Sequence, residues 1–239
     1  MSYQTVKRAG LALAVMLFAL PVNASINKSI RIEAGTSADG ASSVNGSVTV
    51  GEGAIVTGDV NTVNGTVRIG DNARVEDAET VNGGLRVGAN ATTRSLSTVN
   101  GAIRVGAGST IDGAVEAVNG KIELGKGTKV DRGVQNVNGA IELSGAEVGG
   151  DLETVNGDVE LMDGAILHGD LVIEEPGNWG WKKQKNRKPR VIIGPGSVVE
   201  GTIRLEREVE LLISESASVG GVSGVMSMDD AERFSGNRP

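Results

Sequence analysis

The chain contains no cysteine. That excludes disulfides, which an exported protein could otherwise use, and a lipid-modified N-terminal cysteine. Aromatic residues are only 2% of the chain. Tyr3 and Phe18 lie in the first two dozen residues, so the remainder keeps only Trp179, Trp181 and Phe234. A large globular core normally uses aromatics, whereas a thin core lined by Val, Ile, Leu and Ala does not need them. Basic charge is in deficit, with a formal net charge of −7. Lys7 and Arg8 are the only charges among the first 24 residues, and without them the balance is −9. That argues against general nucleic-acid binding. There is a single histidine.

The one long apolar run is LALAVMLFALPV, after Lys7 and Arg8 and before Val22-Asn23-Ala24. A basic segment, a short apolar stretch and a small-x-small site are the parts of a secretory signal peptide, and the run is short for a membrane span. The reading is a signal peptide over 1–24, cleaved in a bacterium, and a soluble periplasmic or secreted chain from Ser25 without a transmembrane span.

What the sequence has in abundance is one tripeptide. Val-Asn-Gly begins at Val44, Val63, Val81, Val99, Val118, Val137 and Val155, and a degenerate copy precedes it at Ile26-Asn27-Lys28. The asparagines follow one another at intervals of 18 or 19 residues, a solenoid period. Numbered from each Val, positions 5 and 7 are apolar in every copy, as in Val48/Val50, Ile103/Val105 and Val159/Leu161, with a polar residue between. That is a strand with one buried face. Further apolar positions fall near 13 (Val56, Val75, Ile111, Val130, Leu167) and 17 (Val60, Val115, Val134, Leu171), and Gly commonly occupies position 8. The expectation is an all-β fold, a three-sided parallel β-helix of about ten coils over 25–222. A Trp/Lys/Arg-rich insert at 175–190 interrupts it, and 223–239 forms a cap or tail. Ser227, Asp230 and Gly236 read as the signals of a short C-terminal capping helix, and Phe234 as a cover for the last coil.

Asn-Gly suits a bend because both residues tolerate positive φ. A bend recurring at one corner stacks Asn27, Asn45, Asn64, Asn82, Asn100, Asn119, Asn138 and Asn156 about 4.8 Å apart, where their amides can form a structural ladder.

IGPGSVVEGTI and ASVGGV are similar to motifs of the bactofilins, the polymer-forming bacterial β-helix proteins. DLETVNGDVEL resembles the β-strand repeats of an exported adhesin-like bacterial family. Together the resemblance covers most of Ile26 to Val222. It implies a scaffold, assembly or surface-interaction role and no enzymatic activity. Typical bactofilins are cytoplasmic and lack a cleavable signal, and this chain departs from them there.

No catalytic constellation emerges from the residues. His168 in ILHGDL invites comparison with hexapeptide-repeat acyltransferases, but the period does not follow their six-residue rule. A polysaccharide-active β-helix enzyme needs clustered acids or bases and usually aromatic platforms. Asp112, Asp131, Asp151, Asp163 and Asp170 do not form the G-G-x-G-x-D calcium repeat. The Thr column (Thr62, Thr80, Thr98, Thr154) is interrupted by Ala117 and Asn136, whereas an ice-binding solenoid needs two flat Thr rows. No metal or cofactor is called for. The reading is an exported, non-enzymatic structural scaffold or adhesin-like envelope module, with those two enzyme classes as alternatives.

Two surfaces stand out for partners. In the insert, Trp179 and Trp181 precede Lys182, Lys183, Lys185, Arg187, Lys188 and Arg190. It reads either as a solvated loop on a coil edge or as a binding loop for an anionic envelope component: lipid headgroups, lipopolysaccharide or wall polymer. The second surface is the outward position 6. Up the solenoid it runs Arg31, Thr49, Arg68, Arg86, Arg104, Glu123, Glu142, Glu160. Either flanking columns supply counter-charges, or two molecules pair this face antiparallel, with Arg104, Arg86 and Arg68 meeting Glu123, Glu142 and Glu160.

Overall fold

The computed structural model describes residues 24–176 and 187–239. The proposed signal peptide up to residue 23, and Trp179, Trp181, Lys182, Lys183 and Lys185 of the insert, lie outside them. Within them the chain is a parallel β-solenoid of about ten coils. Every coil lays down a short strand on each of three faces, and each strand pairs in parallel with its counterpart one coil on. Face 1 is an eleven-stranded sheet from Ile30–Ile32 to Glu232–Phe234. Faces 2 and 3 join into one seventeen-stranded sheet, because strands such as Arg74–Asn82 and Thr92–Asn100 run through the corner between them.

Registers explain the alternation of the period. In the coils that begin at Val63 and Val81 the missing residue is taken from the corner between faces 2 and 3, which those two long strands cross without a loop. The inward residue then falls one place earlier, at Ala78 and Leu96 rather than at position 17. In the coil from Val137 it is taken from the turn after face 1, where Gly145 stands in the left-handed region. That turn uses Gly53, Asn72, Asn90, Gly108 and Gly127 in the other coils, all with positive φ.

The core is made of Val, Ile, Leu and Ala, without an aromatic ring. Positions 5 and 7 of face 1 are buried, as are Val56, Val75, Ile111, Val130 and Leu167 of face 2. A column of small residues, Ala54, Ala73, Ala91, Ser109, Thr128, Ala146 and Ala165, is also buried where face 2 begins. Its sequence signal is the Ala/Ser/Thr that follows each left-handed turn. Each inner face is thus one residue deep, and stacking coils buries what a single coil could not.

The residues around Asn-Gly form three ladders. All seven steps from Asn27 to Asn156 are closed by an Nδ2 donating to the Oδ1 of the preceding rung, at 2.8–3.1 Å. The glycines stack beside them, but positive φ is not the reason. None of the ladder asparagines and only Gly139 of these glycines has it. The reason is space: a Cβ on Gly83, Gly101 or Gly120 would stand 1.7–2.0 Å from the carbonyl oxygen of the Gly one coil below. The Thr column lies inside the solenoid, not on its surface. Thr62, Thr80 and Thr98 are buried and donate Oγ1 to the carbonyls of Gly46, Gly65 and Gly83, at 2.7–3.0 Å. Asn136 does the same for Gly120 and Gly139 through Nδ2. Thr154 makes no such bond, and its Oγ1 is buried without a partner.

The C-terminus differs from expectation. Asp230 Oδ2 accepts from the backbone N–H and hydroxyl of Ser227, so the cap signal was correctly located. The helix behind it is a single 3₁₀ turn, Met228–Asp230. The chain then extends, and Glu232–Phe234 adds to face 1 beside Glu210–Ser214. One helical turn makes few bonds, while an open sheet edge offers a full row. Phe234 packs outside face 1 on Met162, Ile192 and Leu212. The end of the core is met instead by Met226, Met228 and Ala231.

Candidate functional site

Face 1 carries the position 6 column in unbroken register. Arg31 pairs across the backbone with Thr49, then Arg68, Arg86, Arg104, Glu123, Glu142, Glu160, Ile192 and Leu212 follow. Its two halves differ. Glu123 and Glu142 are half-buried, and their counter-charges are at hand in the same molecule. Arg104 Nε lies 2.5 Å from Glu123, and Lys121 Nζ lies 2.7 Å from both Glu123 and Glu142. Lys121 is held above its ordinary pKa by its bonds to Glu123 and then Glu142. Burial pushes the Glu123 carboxyl up, but Lys121 and Arg104 outweigh it and the net shift is downward. Of the two readings of this column, a flanking counter-charge is therefore present for Glu123 and Glu142, while Glu160 makes no ion pair among the described residues. The counter-charge comes from Lys121 at position 4.

The basic half has no such relief. Arg31, Arg68 and Arg86 are exposed and make no ion pair among the described residues. The acids that follow the strands, Glu33, Glu52 and Asp71, stand on the turn after face 1. Asp71 uses its Oδ1 to accept the backbone N–H of Ala89 at 2.8 Å. The positions beside the arginines are small: Thr66, Gly84 and Ala102 on one side, Gly70, Gly88 and Gly106 on the other.

The described end of the insert is neutralised. Arg187 pairs with Asp158, Lys188 with Glu208 at 2.8 Å, and Arg190 holds both oxygens of Glu210 at 3.0 Å. Lys188 draws the Glu208 carboxyl below its usual range. Three of the six charges assigned to a binding loop thus already have acidic partners.

Acids concentrate at the corner between faces 2 and 3. Arg94 there meets Asp59, Glu76 and Asp77. Beside it is an open groove of about 270 Å³ lined by Arg74, Asp77, Arg94, Asp112 and Arg132. Glu79, on the adjoining face 3 strand, is pushed up to about 7 by burial and then by Asp77 and Asp59, with Arg94 opposing. Burial also raises Asp77, against Arg94.

His168 sits on the outside of the same corner. Its Nδ1 is 2.8 Å from Glu200 and its Nε2 3.2 Å from Glu147, which also meets Lys129 at 3.3 Å. The bonds to Glu200 and then Glu147 raise its pKa and favour the charged ring. With both nitrogens engaged by carboxylates, the ring is placed as a member of an exposed charge chain, not as a base aimed at a hydroxyl. Among the described residues no group of three or more His, Cys, Asp or Glu is placed to hold a metal ion, and no helix is long and apolar enough to cross a membrane.

Sequence reasoning missed Lys121, because it followed one column at a time. It also missed Arg207, whose Nη1 donates to Asn156 Oδ1 at 3.0 Å and ends the Asn ladder. No spacing rule links residues 51 apart. Comparison with known proteins finds no match to this chain among family models, curated proteins or solved structures.

Proposed function

We propose that this chain is an exported, non-enzymatic structural module of the bacterial cell envelope, a stiff rod that serves as a scaffold or adhesive surface. One observation carries the reading: three ladders at one corner tie coil to coil, leaving a narrow body whose outer columns differ mainly in charge. A one-dimensional stack of this kind presents a long surface and little concavity, which suits contact better than the enclosure of a small substrate. The bactofilin-like motifs and the signal pattern point the same way. The insert takes part as a contact with anionic envelope components, through Trp179, Trp181, Lys182, Lys183 and Lys185.

Fractionation of cells expressing the full chain, with mass spectrometry of its N-terminus, tests the reading. The expected product begins near Ser25 and lies outside the cytoplasm. An uncleaved cytoplasmic chain overturns export. A trimer that binds coenzyme A, with binding lost in His168→Ala, establishes the acyltransferase alternative instead.

A further inference from the structure

The charges of face 1 are distributed so that Glu123 and Glu142 have partners within the molecule, whereas Arg31, Arg68 and Arg86 have none among the described residues. Around Glu123 and Glu142 every charge has an opposite neighbour within the molecule, through Arg104 and Lys121. Around Arg68 and Arg86 none does. Like charges one strand spacing apart, about 4.8 Å, repel unless something lies across them. A second copy is a poor source of that relief, because two of the three acids it would bring, Glu123 and Glu142, are already held by Lys121 and Arg104, which leaves Glu160 alone to face three arginines.

We propose that the column Arg31, Arg68 and Arg86 is a docking strip for a linear acidic polysaccharide, a chain bearing carboxylates at regular intervals. This deepens the envelope reading by naming a partner, and rests on it only for where that partner is met. Three features favour this occupant. The strip is straight, and from Arg31 to Arg86 it spans three strand spacings, about 14 Å, which suits an extended polymer. Its floor is flat and small, with Gly70, Gly88 and Gly84 beside the arginines, so a polymer can lie against the sheet. Guanidinium groups match carboxylates with two parallel hydrogen bonds each.

Other anions fit less well. No apolar or aromatic side chain stands beside these arginines to enter a bilayer. Among the described residues no aromatic ring stands beside them to stack bases. The chain as a whole is acidic, at −7, so a broad anionic surface meets repulsion from the other faces while a narrow polymer confined to the strip does not.

The test is titration of polygalacturonate into the exported protein, its insert intact, at low and high salt. The expected result is binding that falls steeply with salt and weakens at least tenfold in Arg68→Gln/Arg86→Gln. The control Lys126→Gln/Arg132→Gln removes the same charge from the turn after face 1 and from the corner between faces 2 and 3, outside the strip, and leaves binding unchanged. Both variants should keep the parent's circular dichroism and melting temperature. No binding at low salt overturns the proposal, as does equal weakening in the two variants. Polyphosphate or phosphatidylglycerol vesicles binding where polygalacturonate does not overturns it in favour of a phosphate-bearing partner. A low-salt dimer that Arg86→Gln dissociates overturns it in favour of a second copy. None of these outcomes bears on export, which fractionation measures separately.

Discussion

From Asn27 to Asn156 the corner between faces 3 and 1 repeats nearly the same residues in each coil, whereas the corner between faces 2 and 3 changes from coil to coil. At the first, Thr points in, Asn stacks outside and Gly passes under the carbonyl of the Gly below. At the second stand Thr57-Gly58-Asp59, then Glu76-Asp77, Arg94-Ser95, Asp112-Gly113 and Asp131-Arg132. There several coils even dispense with the corner and run a single strand through it, as Arg74–Asn82, Thr92–Asn100 and Val198–Leu205 do. Both corners lie in one coil and meet the same need to turn the chain. The repeated residues are therefore not what turning requires. They are what close stacking of backbone on backbone at one fixed place in the repeat requires; at the second corner such approaches occur only in some coils, as at Gly58 and Gly201. At the variable corner charge accumulates and pKa values move.

Gly101→Ala is the hardest test of that contrast. The new Cβ would lie 2.0 Å from the Gly83 carbonyl oxygen and 2.4 Å from its carbon, both backbone atoms of a neighbouring coil. Neither can move without breaking the strands beside it. A loss of about 3 kcal/mol or more is expected, read as a fall in denaturation midpoint. A variant within 1 kcal/mol of the parent, on the scale of an ordinary surface change, would show that the coils separate easily and end the argument from close stacking.

The Thr column gives a paired test. Thr98→Val keeps the shape but leaves the half-buried Gly83 carbonyl without its side-chain donor, and about 1 kcal/mol should be lost. The chain itself has a position without the donor: Ala117 occupies the same column and supplies none to Gly101. Ala117→Thr should therefore stabilise, by up to about 1 kcal/mol. If both substitutions destabilise equally, packing and not the hydrogen bond governs the column.

At the variable corner the effect depends on pH. Glu79 titrates at about 7 in the folded chain, against an ordinary 4.5. A raised carboxylate contributes its full stability below the ordinary value, where both states bind the proton. That contribution is lost as pH rises towards 7, because the folded state then gives up a proton it holds more tightly than the unfolded chain does. Glu79→Gln should thus be close to neutral at pH 4 and stabilising by about 1 kcal/mol at pH 8, a figure discounted for solvent screening of a partly exposed group. Equal melting-temperature shifts at both pH values would remove the cause assigned to it. Arg94→Ala should deepen the pH dependence, since Arg94 is the charge that opposes the shift.

The architecture was legible because a solenoid writes its plan once per coil. Period, strand alternation and the Asn ladder all follow from where Val-Asn-Gly recurs. Direction was harder to read. Period-2 counting assigns inside and outside along a strand, but the count is lost at each bend, so nothing in TVNG says that Thr faces the core. The reason for Gly was also hidden: a residue that must lack a Cβ and one that must adopt positive φ look the same in a sequence. The tail reads as a helix by its local signals, and only the open edge of Glu210–Ser214 decides otherwise. Charge partners such as Lys121 with Glu142 belong to neighbouring coils and to different positions in the repeat. A column-by-column reading cannot join them.

The smallest expected effect lies where the repeated corner stops. Each rung of the Asn ladder donates to the one below, so Asn156 at the top has an Oδ1 that no further Asn can use. Arg207 supplies the donor, and its Nη1 also reaches the carbonyl of Val155 at 3.3 Å. The substitution Arg207→Ala removes both bonds. Asn156 is exposed, however, so water replaces the guanidinium at little cost, and less than about 0.5 kcal/mol should be lost. What should change is local: amide hydrogen exchange near Asn156 should quicken while that near Asn82 stays as it was. The comparison of corners makes the same demand, since a ladder held by stacked backbone needs its terminal cap only for order at the end. A destabilisation of several kcal/mol, or faster exchange along the whole ladder, would mean instead that the amides act as one cooperative chain anchored at Arg207.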